Sequence, residues 1–436
     1  MMPDLFKLVL QVTIVLATCR VMGNLFKRIH QPRVVGEMLA GIILGPSLFG
    51  WLAPHWSAYL FPPSSLGFLN ALCQIGLVVF MFLVGMSIKP EELKHQGHAA
   101  VLTSHVSITA PFLLATILAV FLYPRVSDGS VSFTSFALFM GAAMSVTAFP
   151  VLARILTERN MLQSRLGTVA IACAAVDDVT GWCILAYIII IIRAHGSGAP
   201  LWLTVVGVVA FAFLMIYGVK PLLMRLLTVF RRDGNLSEGL MARILLLTMI
   251  SALFTDYLGL HLLFGAFLMG AIMPKDPAFV RYVVDRFEPI TVTLLLPLFF
   301  AFTGLRMSIG LIHGWQMWMY CGLIILVATV GKLGGSMVAS RLAGMSLRDA
   351  AGLGFLMNTR GLMGLVILDI GLDIKVISPA LFTMMVLMAF VTTFMTTPLL
   401  DIFCPNEAPV EEESRAAARA PRHSSLGPNT PNSSVA

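Results

Sequence analysis

From Leu5 to Phe403 the chain is one apolar segment of about 20 residues after another, separated by short polar stretches. That is the length an α-helix needs to cross ~30 Å of hydrocarbon. A bilayer leaves few alternatives, because every backbone N–H and C=O inside it must be paired by the segment itself or by a closed barrel. We read thirteen spans, at roughly 4–26, 34–50, 67–88, 98–123, 132–157, 163–192, 200–228, 238–258, 259–274, 289–309, 314–340, 347–371 and 376–403. With 58% hydrophobic and 12% charged residues, an ordinary soluble domain is excluded. The expected class is therefore an all-α polytopic membrane protein.

Cations between the spans set the expected sidedness. Odd-numbered loops hold Lys27, Arg28, Arg33, Lys89, Lys94, Arg159, Arg165, Arg231, Arg232, Lys275, Arg281, Arg286, Arg341 and Arg348, while even-numbered loops hold little beyond Arg125, Arg193 and Lys375. Cytoplasmic loops carry the excess of Lys and Arg. We expect a multi-pass protein of the inner cell membrane with its amino terminus outside and its carboxyl terminus in the cytoplasm. The net charge of +7 then marks topology and implies no nucleic-acid partner. Six scattered cysteines show neither CxxC spacing nor a disulfide framework, and nothing points to a transition-metal centre.

The chain also repeats itself. Val35-GEMLAGIILGP (35–46) matches Phe264-GAFLMGAIMP (264–274), and Phe82-LVGMSI (82–88) matches Phe302-TGLRMSI (302–309), each with a small gap. In each half a helix interrupted by polar residues follows. The first, Gly141-AAMSVTAFPVLARIL (141–156), carries Ser145, Thr147 and Pro150 in mid-span; the second, Gly352-LGFLMNTRGLMGLVIL (352–368), carries Asn358, Thr359, Arg360, Gly361 and Gly364. Pro150 removes a backbone donor and frees a carbonyl. Two six-helix units joined by a linker span have opposite orientations, an inverted repeat that in transporters places the substrate near the midplane between broken helices.

Charges inside the spans identify candidate site residues. Asp177 and Asp178 are the only charges between Arg165 and Arg193. A charge at the bilayer centre costs ~2.5–3.5 kcal/mol on insertion scales, so such residues mark ion pathways and proton relays. We expect Asp178 to carry either a proton or a monovalent cation, with Thr147 and freed backbone carbonyls as further oxygen ligands. Lys332, the only charge between His313 and Arg341, is the expected partner of Asp177 across the two repeats. Arg360 should offset helix-end carbonyls or pair with a carboxylate. Arg306 reads as an interfacial anchor and Glu37 as a helix-start charge or inter-domain contact, so both are candidate interface residues.

With those residues in view, the chain resembles the monovalent cation:proton antiporter-2 family. The matching blocks run from Val34-VGEMLAGIILGPSLFG through Phe149-PVLARIL, Ala175-VDDVTGW and Pro297-LFFAFTGLRMS to Gly354-FLMNTRGLMGLVIL. The resemblance implies the sodium/proton antiporter fold, with two crossed discontinuous helices. It implies a homodimer whose dimerisation scaffold covers about 1–60 and 235–275, a linker helix about 200–230, and a mobile core about 67–195 and 289–403. It also implies that Asp178 binds the cation, that Asp177 pairs with Lys332 in Val330-GKLGG, and that Thr147 is the polar residue of the first crossing. Transport is expected to exchange Na⁺ or Li⁺ for protons electrogenically, with no cofactor and no enzymatic reaction. The Asn358-Thr-Arg-Gly-Leu block resembles plant potassium-linked exchangers, which keeps an electroneutral K⁺/H⁺ antiporter as the alternative. A sodium-coupled symporter of organic anions and a transporter-like sensor are weaker readings. The stretch 404–436 is expected to be a disordered cytoplasmic tail, with no cytosolic nucleotide-binding domain in this chain.

Overall fold

The computed structural model describes residues 5–87, 98–127, 129, 131–159, 161, 164–194, 201–233, 238–258 and 260–403. The expected disordered tail, 404–436, and the loop cations Lys89 and Lys94 lie outside the described residues. Among those described, every regular element is helical. Eleven helices are long and apolar enough to cross a membrane, and two shorter apolar ones, Phe133–Ser145 and Leu262–Ile272, stand where spans five and nine were expected.

The first half contains α1 (Leu5–Arg28), α2 (Arg33–Leu44), α3 (Pro63–Ser87), α4 (His98–Val126), α5 (Phe133–Ser145), α6 (Phe149–Glu158) and α7 (Arg165–Ala194). A long helix, α8, runs from Leu201–Phe213 through a π-helical turn at Leu214–Val219 into Lys220–Asp233. The second half contains α9 (Glu238–Tyr257), α10 (Leu262–Ile272), α11 (Pro277–Ile290, Thr291–Leu295 and Leu296–Arg306) and α12 (Gly314–Thr329, Val330–Gly334 and Gly335–Leu342). It closes with α13 (Leu347–Met357), α14 (Leu362–Asp373) and α15 (Pro379–Phe403).

Local chemistry explains the boundaries. Ser132 and Ser346 cap α5 and α13 by accepting from the N–H groups of Ser135 and Asp349, the usual way to satisfy a helix's orphan donors. The span expected from residue 289 begins instead at Pro277, because Asp276 accepts from the N–H groups of Ala278 and Phe279 and starts the helix earlier. It runs through Pro289 by way of a π-helical turn at Thr291–Leu295, which absorbs the donor that proline lacks. Spans eight and nine, nearly continuous in sequence, are separated by a tight corner. There Ser251 Oγ donates to the Gly265 carbonyl at 2.7 Å and Gly265 N donates to Thr255 Oγ1 at 3.1 Å.

Matched glycines bring the two repeats together. A Cβ at Gly41 in α2 would lie 2.1 Å from the Ala301 carbonyl oxygen of α11, and one at Gly304 would lie 2.7 Å from the Gly41 carbonyl carbon. Their repeat counterparts behave alike: a Cβ at Gly270 in α10 would lie 2.0 Å from the Phe82 oxygen of α3, and one at Gly85 would lie 2.2 Å from the Phe267 oxygen. Each crossing therefore joins the second helix of one repeat to the third helix of the other, backbone against backbone. Lys275 fastens the α3–α10 crossing, its Nζ donating to the carbonyls of Gly85 (2.8 Å), Met86 (3.1 Å) and Gly270 (3.1 Å). An apolar core built from α3, α8, α9, α10 and α11 surrounds that end, with Phe82, Met86, Phe211, Phe230, Met269 and Phe279 buried in it. Spans three and ten, expected at the edge of the mobile core, thus pack with α2 and α10.

Candidate ion-binding site

Two interrupted helices cross at the site. Helix α5 ends at Ser145, Val146–Ala148 are extended, and α6 starts at Phe149; α13 ends at Met357 and α14 starts at Leu362. The breaks are tied together, since Ala148 N donates to the Thr359 carbonyl at 3.1 Å and the Thr147 hydroxyl oxygen lies 3.0 Å from the Met357 carbonyl oxygen. Pro150 occupies the first turn of α6, where a missing N–H is tolerated.

Asp177 and Asp178 are both buried in α7. Neighbours on a helix point about 100° apart, and these two meet different surroundings. Asp177 is saturated. Its Oδ1 accepts from Ser104 Oγ at 2.6 Å, and its Oδ2 accepts from Thr147 Oγ1 at 2.8 Å and from Lys332 Nζ at 2.6 Å, with Ser107 Oγ within 3.2 Å. Lys332 is fully buried, and its Nζ also reaches the Ser145 carbonyl at 2.6 Å and Ser107 Oγ at 3.2 Å. All three ammonium protons thereby have acceptors. The lysine sits in the π-helical turn Val330–Gly334 of α12, an irregularity that often marks functional positions.

Asp178 is the opposite case. The backbone N–H of Phe149, at the start of α6, donates to its carboxylate, yet Asp178 Oδ1 is buried with no hydrogen-bond partner. A buried oxygen left unpaired is costly, and a proton or a cation bound there would satisfy it. Asn358 Oδ1, in the second break, is likewise buried and unpartnered.

The remaining expected residues fall as follows. Thr147, expected as a ligand beside Asp178, instead donates to Asp177; its hydroxyl already has an acceptor, so it orients the pair. Ser145 contributes its carbonyl to Lys332, and Thr359 Oγ1 donates to the Leu356 carbonyl at 2.7 Å. Among the described residues Arg360 meets no carboxylate: its guanidinium donates to the carbonyls of Ala143 (3.3 Å) and Ala328 (3.4 Å). Arg306, in the last turn of α11, bonds Asp369 at 3.1 Å and Asp373 at 2.5 Å. Glu37 lines a cavity of about 180 Å³ with Arg20, Arg33 and Arg154, consistent with an inter-domain contact.

Sequence reading missed Ser104, Ser107 and Asp369. The two serines stand one helical turn apart on α4, a spacing that put them on one face, but serine is common in spans and carries no charge to flag it. Asp369 was a carboxylate inside a span and gave the same signal as Asp178.

A cavity of about 360 Å³ leads to the crossing. One wall comes from α6, with Phe149, Arg154 and Thr157, together with Leu362 of α14; the other comes from Phe80 and Ser87 of α3 and Glu288 and Phe300 of α11. Phe149 and Leu362 are the first residues after the two breaks, so the cavity reaches the site from the end where α3 finishes and α11 begins.

Comparisons with known proteins bear on the family and the fold. The chain is 40% identical over 390 residues to the Na(+)/H(+) antiporter NhaS4 of Synechocystis sp., covering 89% of this chain and 95% of that protein. It is 38% identical to cation/H(+) antiporter 17 of Arabidopsis thaliana and 34% identical to K(+)/H(+) antiporter 1 of Saccharomyces cerevisiae, over 92% and 91% of this chain. The chain spans about half the length of those two relatives, 49% and 46%. Its fold matches the sodium proton antiporter MjNhaP1 of Methanocaldococcus jannaschii with a TM-score of 0.65 at 14% identity, covering 91% of this chain and 96% of that one. The model of the transmembrane sodium/hydrogen exchanger family matches residues 12–402, and it is to this family that the chain belongs.

Proposed function

We propose that this chain is a secondary active antiporter exchanging a monovalent cation for protons, with Asp178 as the shared carrier. The observation that supports it most directly is the unpaired Asp178 oxygen beside an Asp177–Lys332 pair that has no bonding capacity to spare. A single buried carboxylate neutralised by H⁺ or by an alkali ion, one at a time, couples the two fluxes. The cations are substrates, and the site needs no resident cofactor or transition metal.

Packing supports a scaffold of α1–α3 and α9–α11, fused by the glycine crossings, and a core of α4–α7 and α12–α15 that carries the site. On this reading spans three and ten belong with the scaffold. Helix α8 touches α7 on one side and α10 on the other, which suits a linker. Alternating access then moves the core against the scaffold, and the cavity lies along their boundary. By the distribution of loop cations the cavity opens to the cytoplasm of an inner membrane, with the amino terminus outside. The chain works as a homodimer.

Two acids beside one lysine favour Na⁺ or Li⁺ and an electrogenic cycle. With Asp177 and Lys332 neutralising each other, cation-loaded and singly protonated Asp178 both leave the core neutral. A second proton on Asp177 uncovers the Lys332 charge, and the return leg then moves charge. Potassium is the second reading, favoured by the resemblance of the Asn358–Leu362 block to plant exchangers and by the name of the yeast relative.

Proteoliposomes with an acidic interior test this. Added sodium or lithium should release protons and respond to an imposed voltage, and Asp178→Asn should abolish exchange. Exchange retained by folded Asp178→Asn protein would end the assignment, while a potassium-only, voltage-insensitive response would transfer the substrate to the second reading.

A further inference from the structure

The end of the molecule away from the cavity carries an ion-pair cluster that the transport site does not use. Arg306, in the last turn of α11, places one guanidinium nitrogen 3.1 Å from Asp369 Oδ1 and another 2.5 Å from Asp373 Oδ1. The two aspartates stand one turn apart at the end of α14. Thr303, one turn before Arg306, donates to the other Asp369 oxygen at 2.8 Å. Asp369 is buried, with 4% of its side chain exposed, and Arg306 keeps only 20% exposed. Forked, partly buried guanidinium–carboxylate contacts are the stronger and more geometrically specific kind.

Where this cluster lies gives it a meaning beyond stability. Helix α11 belongs to the block fused through Gly41 and Gly304, whereas α14 follows the second break and belongs with the site. Along α11, Glu288 lines the cavity and Arg306 joins the cluster, about 27 Å apart at 1.5 Å per residue. Along α14, Leu362 touches the cavity and Asp369 the cluster. The cluster thus bridges the two bodies at the face opposite the opening. On the cavity side, the walls carry Ser87 and Thr157 near the helix ends and Arg154 and Glu288 on opposite sides.

We propose that Arg306, Asp369 and Asp373 form a latch that holds the far face shut while the cavity is open, and that opening that face requires the guanidinium to leave both carboxylates. The proposal rests on the alternating-access reading above. It makes the three residues positioning groups that set which face is open; none of them carries the ion.

Hydrogen exchange on the full chain in proteoliposomes tests this without depending on transport. In Arg306→Gln, which removes both charged contacts, amides in the last turns of α11 and α14 should exchange faster by at least about tenfold. Amides of α6 beside the cavity should slow as that side closes more often. Arg306→Lys should fall between, since lysine cannot fork. Asp373→Asn, which spares the buried Arg306–Asp369 contact, should give a smaller shift of the same pattern and covers the case in which Arg306→Gln does not fold. Unchanged exchange at the far face, or faster exchange at both faces together, would overturn the latch. Either result would leave Asp178 and its exchange assay untouched.

Discussion

At the residue scale, the two adjacent aspartates do different work because they meet different neighbours. Asp177 and Lys332 form a buried ion pair, 2.6 Å apart, whose remaining bonds are supplied by Ser104, Ser107, Thr147 and the Ser145 carbonyl. Removing one partner of a buried pair leaves an uncompensated charge, whereas removing both does not. Lys332→Gln should therefore destabilise the protein by about 3–5 kcal/mol, and adding Asp177→Asn should recover much of that loss in a thermal-melting series. Equal melting of the single and double variants would show that the pair contributes little. The pairing of Asp177 with Lys332 was legible in the sequence, because a lone lysine and a lone acid cluster in spans have few other partners. The bond from Thr147 to Asp177 was not legible, since sequence order cannot say which face of α7 a crossing loop meets.

At the scale of the element, glycine decides which helices belong together. Gly270 brings α10 so close to α3 that a Cβ would stand 2.0 Å from the Phe82 carbonyl oxygen, while a Cβ at Gly322 on α12 would meet nothing within 4 Å. Gly270→Ala should cost on the order of 1–3 kcal/mol through overpacking. Gly322→Ala should be neutral or stabilising by ~0.5–1 kcal/mol, since glycine inside a helix is itself unfavourable. Thermal melting of the two variants side by side checks this, and an undisturbed Gly270→Ala protein would remove the tight crossing. The repeated glycine text was readable as internal similarity. Its pairing was not: Gly41 meets Gly304 and Gly85 meets Gly270 across long stretches of chain. Sequence order groups spans three and ten with the expected mobile core, while the packing sets them against α10 and α2. The early start of α11 was missed for a smaller reason, a single capping aspartate before a proline at the head of a polar stretch.

At the scale of the whole molecule, the fold class was legible because hydrocarbon permits so few solutions, and loop cations supplied an orientation. The cavity and the far-face ion cluster were not, because both depend on how two bodies lean on each other. Sidedness yields its own prediction. In a chain with Cys183 and Cys404 changed to serine, a Thr157→Cys thiol should react with a membrane-impermeant maleimide in inside-out vesicles and resist it in intact cells. Asp373→Cys should show the reverse. Labelling of both from one side would invert or discard the proposed topology.

The glycine crossings carry one further consequence. Where helices touch through side chains, they can slide by repacking rotamers; where carbonyl meets α-carbon, there is nothing soft to yield. In the alternating-access cycle proposed above, the helices joined at these crossings would serve as a stiff frame, a fixed fulcrum for the helices that carry the site.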